Sequence, residues 1–332
     1  MLVALVEITA WVNVVAFFAM LFTNAELVKL IFSDASRNFG NYTVLMMANV
    51  ANLVVFSCLQ MILNPIISIE RNVLYVFSTI KPQFMSKTAV RVLLALYGMT
   101  YCMALLLCAV KFVFRYDRVC RCGKLFRLKK HLVAWFSFIL LAGLFWGACI
   151  FQIARETPYV DDIIRGPLLI NYNVSLENTT YTAAVYEVND PITGRCEWNQ
   201  SGIVMGVSFV LIIVSVMVTM VFCISKLSKT LRELVDGVNA DGDKKDAEKT
   251  KVQRELFSAQ RIQSVFPFIF ICVPIVSVLV LPIFRINGNI GISLSSIMVS
   301  VYPVIDPIVL IFSITPFRNA VFGRQHNYNG MA

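Results

Sequence analysis

Asp306 stands in the apolar run Tyr302-Pro303-Val304-Ile305-Asp306-Pro307. A carboxylate in such a setting needs a proton, a cation or hydrogen-bond donors, because an unpaired buried charge is costly. Asn24, Asn49 and Asn52 also lie in or beside apolar stretches and could supply donors. Asn49 and Asn52 are three apart and share one helix face. Pro307 cannot donate to the helix ladder and clashes with the carbonyl four residues back, so the helix kinks, and Pro303 adds a second break. Two compatible readings follow: a satisfied structural network, or the bistable element of a switch. Pro267, Pro274 and Pro282 break residues 260–284 in the same way. Kinks there either let the helix swing as a lever or simply shape a pocket.

Other reactive groups point to no catalysis. The chain has no Gly-x-Ser-Gly element, no His-Glu-x-x-His and no pair of deep aspartates. His131 and His326 fall at or outside the edges of the apolar runs. Most of the nine cysteines lie inside apolar runs and read as small buried hydrophobes. Cys120 and Cys122 lack the further ligands a metal needs. Their position beside an apolar run permits reversible palmitoylation, with plain loop thiols as the alternative. No cofactor and no enzymatic activity are expected.

The elements that position these groups follow from composition. The chain is 58% hydrophobic and 15% charged, with mean hydropathy +0.73. Soluble domains are about 25% charged, so lipid is the expected solvent. Seven runs are long enough to cross it: about 2–23, 43–65, 92–114, 132–152, 202–224, 265–283 and 292–314. The first lacks a basic leader and a small-x-small cleavage site and contains Glu7, so it reads as a retained span. Glu7 lies at an interface or faces the bundle. Arg91 and Lys111 fall near span ends, where long side chains reach water. The expected fold is an all-α bundle of seven transmembrane helices, one domain over 1–332. It has a long loop at 153–201, another at 225–261 and a short tail at 315–332.

Direction comes from the loops. With the N-terminus outside, the interior segments carry 20 Lys and Arg and the exterior ones 7. The exterior loop 153–201 holds three glycan acceptor motifs, at Asn173, Asn178 and Asn199. A fourth, at Asn41, falls in an interior loop and is expected to stay unmodified. The basic stretch Phe112–His131 is then mainly an orientation signal that also suits anionic lipid headgroups. One short loop tied to two spans is not a nucleic-acid surface. The loop 225–261 continues the fifth span and then becomes charged; Gln253–Gln260 reads as a helical run-in to the sixth span or as a solvated linker.

Several stretches resemble one family, the nematode seven-transmembrane chemoreceptors of the Str superfamily, which are G-protein-coupled receptors. They are Asn24, the Gly40-Asn41-Tyr42 turn and Phe112-Val113-Phe114-Arg115-Tyr116. Gln253-Arg254-Glu255-Leu256-Phe257 follows, with Gln263, Pro267 and Pro274, and then Tyr302-Pro303 through Asp306-Pro307. The resemblance implies a receptor for a small environmental chemical or odorant, coupled to a heterotrimeric G protein, in the plasma membrane of sensory cilia. It implies that Arg115, Tyr116, Arg118 and Arg254 meet the G protein. Asn24, Asn49, Asn52, Asp306, Pro307, Pro267 and Pro274 would form the switch. Depth counting places Tyr97, Tyr101, Ser208, Ser277 and Ser296 at a ligand pocket, with Trp146 nearby. Leu310 stands where the wider rhodopsin-like pattern has Tyr. Cys102 lies about ten residues inside the third span, too deep to reach Cys196 for the exterior disulfide of many receptors, so Cys196 is expected to be free. The competing readings are a transporter or channel, disfavoured by the lack of a visible repeat and the single deep acid, and an intramembrane enzyme.

Overall fold

The computed structural model describes residues 2–33, 40–80, 83–121, 123–126, 129–189, 196–241, 265–284 and 289–322. Among them, six helices are long and apolar enough to span a bilayer. They are α1 (Leu2–Phe32), α2 (Asn41–Leu63), α3 (Lys87–Cys120), α4 (Lys129–Gln152), α6 (Gln200–Asp241) and α8 (Asn289–Ser313). The shorter apolar helix α7 (Val265–Val280) continues as a 3-10 turn, Leu281–Phe284, and completes the seven. A short α9 (Thr315–Val321) follows α8. Helix α1 runs past residue 23 to Phe32, so Asn24 lies well within it. Glu7 is exposed on its outer surface.

Helix α3 is the hub. It packs on α2, α4 and α6, while α1 packs on α8. Its buried residues cover every face, from Val90 through Leu105 and Val110 to Phe114, as expected of a helix surrounded by others. Helices α1, α4 and α6 instead leave large apolar side chains exposed, among them Trp11, Phe22, Leu141 and Val218. That is the surface lipid covers.

One end of the bundle carries a feature the helical reading lacked. Strands β1 (Ile66–Glu70), β2 (Val73–Ser78) and β3 (Thr180–Val185) form an antiparallel sheet in that order. A two-residue turn joins β1 to β2, with Arg71 in the left-handed region at φ 53°. Short β4 (Glu187–Asn189) and β5 (Cys196–Trp198) make a second pair. Alternation along the strands gives the sheet two faces. The outer face presents Ile66, Val73, Tyr75, Phe77, Tyr181 and Ala183 to helix α5 (Pro158–Tyr172), which packs Val160, Ile164, Leu168 and Tyr172 against them. The inner face carries Ile67, Leu74, Val76, Thr182 and Ala184 toward the bundle.

The cap is tied down firmly. The Ala183 N–H donates to Ala154 O and the Tyr186 N–H to Asn72 O, and Asn72 Nδ2 donates to Glu187 O at 2.6 Å. Tyr181 Oη donates to Asp161 at 2.6 Å. Burial, then Asp161 itself, holds the Tyr181 pKa above its ordinary value, so the hydroxyl keeps its proton. A side chain at Gly202 would collide with the Val185 carbonyl, so α6 can enter this close to β3 only with glycine there.

Candidate functional site

Beneath the sheet lies a cavity of about 120 Å³. Its walls come from α3 (Leu94, Tyr97, Tyr101), α4 (Trp146, Ile150), α6 (Met205, Phe209), α7 (Pro274, Val278) and α8 (Ser295, Val299). The sheet's inner face closes it. Trp146 and Phe209 stack at 3.6 Å between ring centroids, and Phe56 stacks on Tyr97 at 5.0 Å. Among the described residues, no charged side chain lines the cavity.

Of the five pocket residues expected from depth, Tyr97 and Tyr101 are on this wall. The serines correct the expectation. Ser208 and Ser277 do not line the cavity; their hydroxyls turn back onto Val204 O and Val273 O of their own helices. A serine in an apolar helix can satisfy itself this way, so depth alone does not tell which side it faces. Ser296 is buried behind the wall, where its Oγ accepts the Ile67 N–H at 3.3 Å and so holds the sheet to α8. Ser295, one residue earlier, faces the cavity.

Further along α3 and α8 is the polar seam. Asp306 is 3% exposed and Lys111 6%, and their closest approach is 3.3 Å. Lys111 therefore does not reach for water at a span end; its ammonium turns inward and pairs with Asp306. Asn49 Nδ2 donates to Asp306 Oδ2 at 2.9 Å, and Tyr302 Oη donates to Oδ1 at 3.3 Å. The carboxylate thus meets a cation and two neutral donors, the surroundings a buried charge requires.

The remaining expected seam residues divide. Pro307 has no N–H for the carbonyl of Pro303, four residues back. Asn24 Nδ2 of α1 supplies a donor to that carbonyl at 3.3 Å. Asn52 does not join the carboxylate; it donates to Thr100 O of α3 at 3.0 Å. A second cluster, absent from the sequence reading, lies nearer the sheet. Ser300 Oγ donates to Asn13 Oδ1 at 2.6 Å and accepts from Gln60 Nε2 at 2.7 Å, while Asn13 Nδ2 donates to Asn64 Oδ1.

Helix α7 is distorted beside the cavity. Pro267 precedes a π-helical stretch, Phe268–Cys272, in which the Val273 N–H reaches back five residues to Phe268 O. Pro274 lies just beyond it. Tyr101 Oη donates to Ile271 O at 2.8 Å, so a cavity residue grips the distorted turn.

At the end away from the sheet, Arg115 stacks on Tyr42, 4.9 Å from the ring centroid, and donates to its hydroxyl at 3.2 Å. Tyr116 packs edge-on against Phe222 of α6. Arg118 is exposed. Asp117, which sequence reasoning passed over, is fully buried and accepts the N–H groups of Leu125 and Phe126. Asn41 donates to Phe126 O, tying the start of α2 to the same loop. Cys120 Sγ contacts Thr230 Oγ1 at 3.4 Å. Cys102 is a free thiol against Ala142 O. Arg254, Cys122 and His326 lie outside the described residues.

The fold matches squid rhodopsin with a TM-score of 0.64 at 10% identity, covering 96% of this chain and 85% of that one. The chain is 25% identical to serpentine receptor class r-10 of Caenorhabditis elegans over 86% of this chain and 82% of the relative. It is 23% identical to the G-protein coupled receptor str-33 of the same organism, covering 92% and 87%. Residues 9–322 match the family described as serpentine type 7TM GPCR chemoreceptor Str, and the chain belongs to that family of seven-transmembrane nematode chemoreceptors.

Proposed function

We propose that this receptor binds a small environmental molecule in the roofed cavity and signals to a heterotrimeric G protein at the opposite end. The observation that carries the reading is the sharing of helices. Tyr97 and Tyr101 of the cavity lie on the helix that bears Lys111 and Arg115, and Ser295 and Val299 lie on the helix that bears Asp306. A ligand that moves α3 against α8 must strain the Lys111–Asp306 pair, a packed element of the kind that switches between discrete arrangements.

In this reading Asn24, Asn49, Asp306, Pro267, Pro274 and Pro307 serve the switch, with Asn52 bracing α2 on α3. Arg115, Tyr116, Arg118 and Arg254 serve coupling, with Arg115 leaving Tyr42 to meet the partner. The N-terminus and the sheet face the exterior of the plasma membrane, at sensory cilia by family resemblance. Exposed Asn173 and Asn178 are the glycan sites there; Asn199, half-buried at the start of α6, is the third.

The test is ligand-dependent G-protein recruitment by the receptor expressed in a heterologous cell and screened against small odorants. Arg115→Ala should abolish recruitment at unchanged surface level. Ligand responses that persist without any G protein would sink the coupling assignment. Glycan on Asn41 with none on Asn173 and Asn178 would reverse the orientation.

A further inference from the structure

At the end away from the sheet, Phe126 joins three helices. Its ring packs edge-on against Phe114 of α3 at 4.9 Å between centroids and stacks on Trp135 of α4 at 5.8 Å. Its carbonyl accepts Asn41 Nδ2, at the start of α2, at 3.1 Å. Two of these contacts bear on Tyr42, the residue on which Arg115 stacks. Asn41 is its neighbour in the chain, and the Phe114 ring lies 5.4 Å from its own. Phe126 is buried, and one carboxylate fixes its backbone. Asp117 Oδ2 accepts the Leu125 N–H at 2.9 Å and the Phe126 N–H at 3.2 Å. The Asp117 carbonyl accepts the Gly123 N–H at 2.9 Å, and Gly123 reverses the chain in the left-handed region at φ 75°.

Asp117 therefore stands at the head of a chain of contacts. The chain runs through Phe126 to Phe114 and Asn41, then to Tyr42, and ends on Arg115. A buried carboxylate is an expensive way to close a turn. Here only one of its side-chain oxygens is used, since Oδ1 is buried without a hydrogen-bond partner among the described residues. That unmet need offsets part of what the two N–H bonds contribute, so the latch holds by a reduced margin. We propose that Asp117 is a positioning residue for G-protein coupling: by latching the turn 123–126 it keeps Tyr42 on Arg115, and opening the latch frees the arginine. This rests on the coupling role proposed above for Arg115. It gives Asp117 a definite sign, because losing the latch increases signalling without ligand.

Two measurements on the full-length receptor test this. Trypsin cleavage after Arg118, Arg121 or Lys124, all exposed, is located by mass spectrometry in lipid nanodiscs and reads opening of the turn with no G protein present. Ligand-independent recruitment of a panel of heterotrimeric G proteins, at matched surface level, reads release of Arg115. Asp117→Ala should speed the cleavage and raise recruitment about tenfold, equivalent to about 1.4 kcal/mol. Asp117→Asn keeps an oxygen for the two N–H groups and should show less of both effects. Adding Arg115→Ala to Asp117→Ala should remove the gain in recruitment and leave the faster cleavage. Asn41→Ala removes one support of Tyr42 and should raise recruitment more weakly; it carries the test if Asp117→Ala does not reach the surface. A merely structural Asp117 would lower recruitment instead. Unchanged cleavage in Asp117→Ala overturns the proposal. So does faster cleavage with flat or lower recruitment while the unsubstituted receptor recruits G protein. Faster cleavage with no recruitment by any form supports the latch and sinks the coupling role of Arg115.

Discussion

The cavity and the ion pair share α3 and α8 but are made of opposite materials. Around the cavity, apolar side chains meet a sheet fixed by neutral hydrogen bonds, many of them from backbone groups. A few angstroms of wall can change there at the cost of packing alone. At Asp306, each donor answers a charge that has no access to water. Removing one partner leaves the other stranded. In the proposed reading, a receptor built this way can vary its ligand while its central pair stays constrained, since the two regions carry very different penalties for substitution.

The sharpest break would come at the pair. Asp306→Ala strands the Lys111 ammonium and should cost about 3–5 kcal/mol, read as a large drop in thermal stability of the detergent-solubilised receptor. Combining Lys111→Met with Asp306→Leu should recover most of that loss. A mild single mutant with no recovery in the double would erase the contrast. Next is the contact between the regions. Tyr101→Phe leaves the Ile271 carbonyl without its hydroxyl donor and should cost about 1–3 kcal/mol, measured by the same melt. Filling the cavity should move function rather than stability. Ala184→Leu adds bulk to the roof and should raise the effective concentration of any agonist about tenfold, or about 1.4 kcal/mol, with a smaller change in melting. Smallest are the self-bonded serines: Ser208→Ala and Ser277→Ala should each stay within about 0.5 kcal/mol and leave the agonist response unchanged. A lost response in either would return that serine to the pocket.

Seven apolar runs and a basic-loop bias are one-dimensional signals, and the bundle was legible from them. So was Asp306, since a carboxylate between prolines in an apolar run stands out. Its cation was not. Lys111 sits where a lysine could equally turn outward, and only the packing of α3 against α8 decides. The cap was partly readable. Ile66–Ser78 holds two β-rich runs around a two-residue break, a hairpin signal, but the seven-span pattern assigned it to a loop. The third strand comes from about a hundred residues later, a pairing no local pattern reveals. Asn24 teaches the converse. Its role is fixed by Pro307, because a missing N–H in one helix creates a need that a side chain in another must meet.

The π-helical stretch Phe268–Cys272 holds one residue more than an α-helix would over the same length. Since each residue turns an α-helix by about 100°, that surplus puts everything before it out of phase with everything after it. The Tyr101 hydroxyl clasps this dislocation from inside the cavity. Should the clasp open and the surplus residue slip along α7, the turns it passes through would rotate by about 100°, more than a quarter turn, while the turns on either side keep their phase. A contact the size of one hydroxyl would then be geared to which side chains of α7 face the bundle and which face away from it.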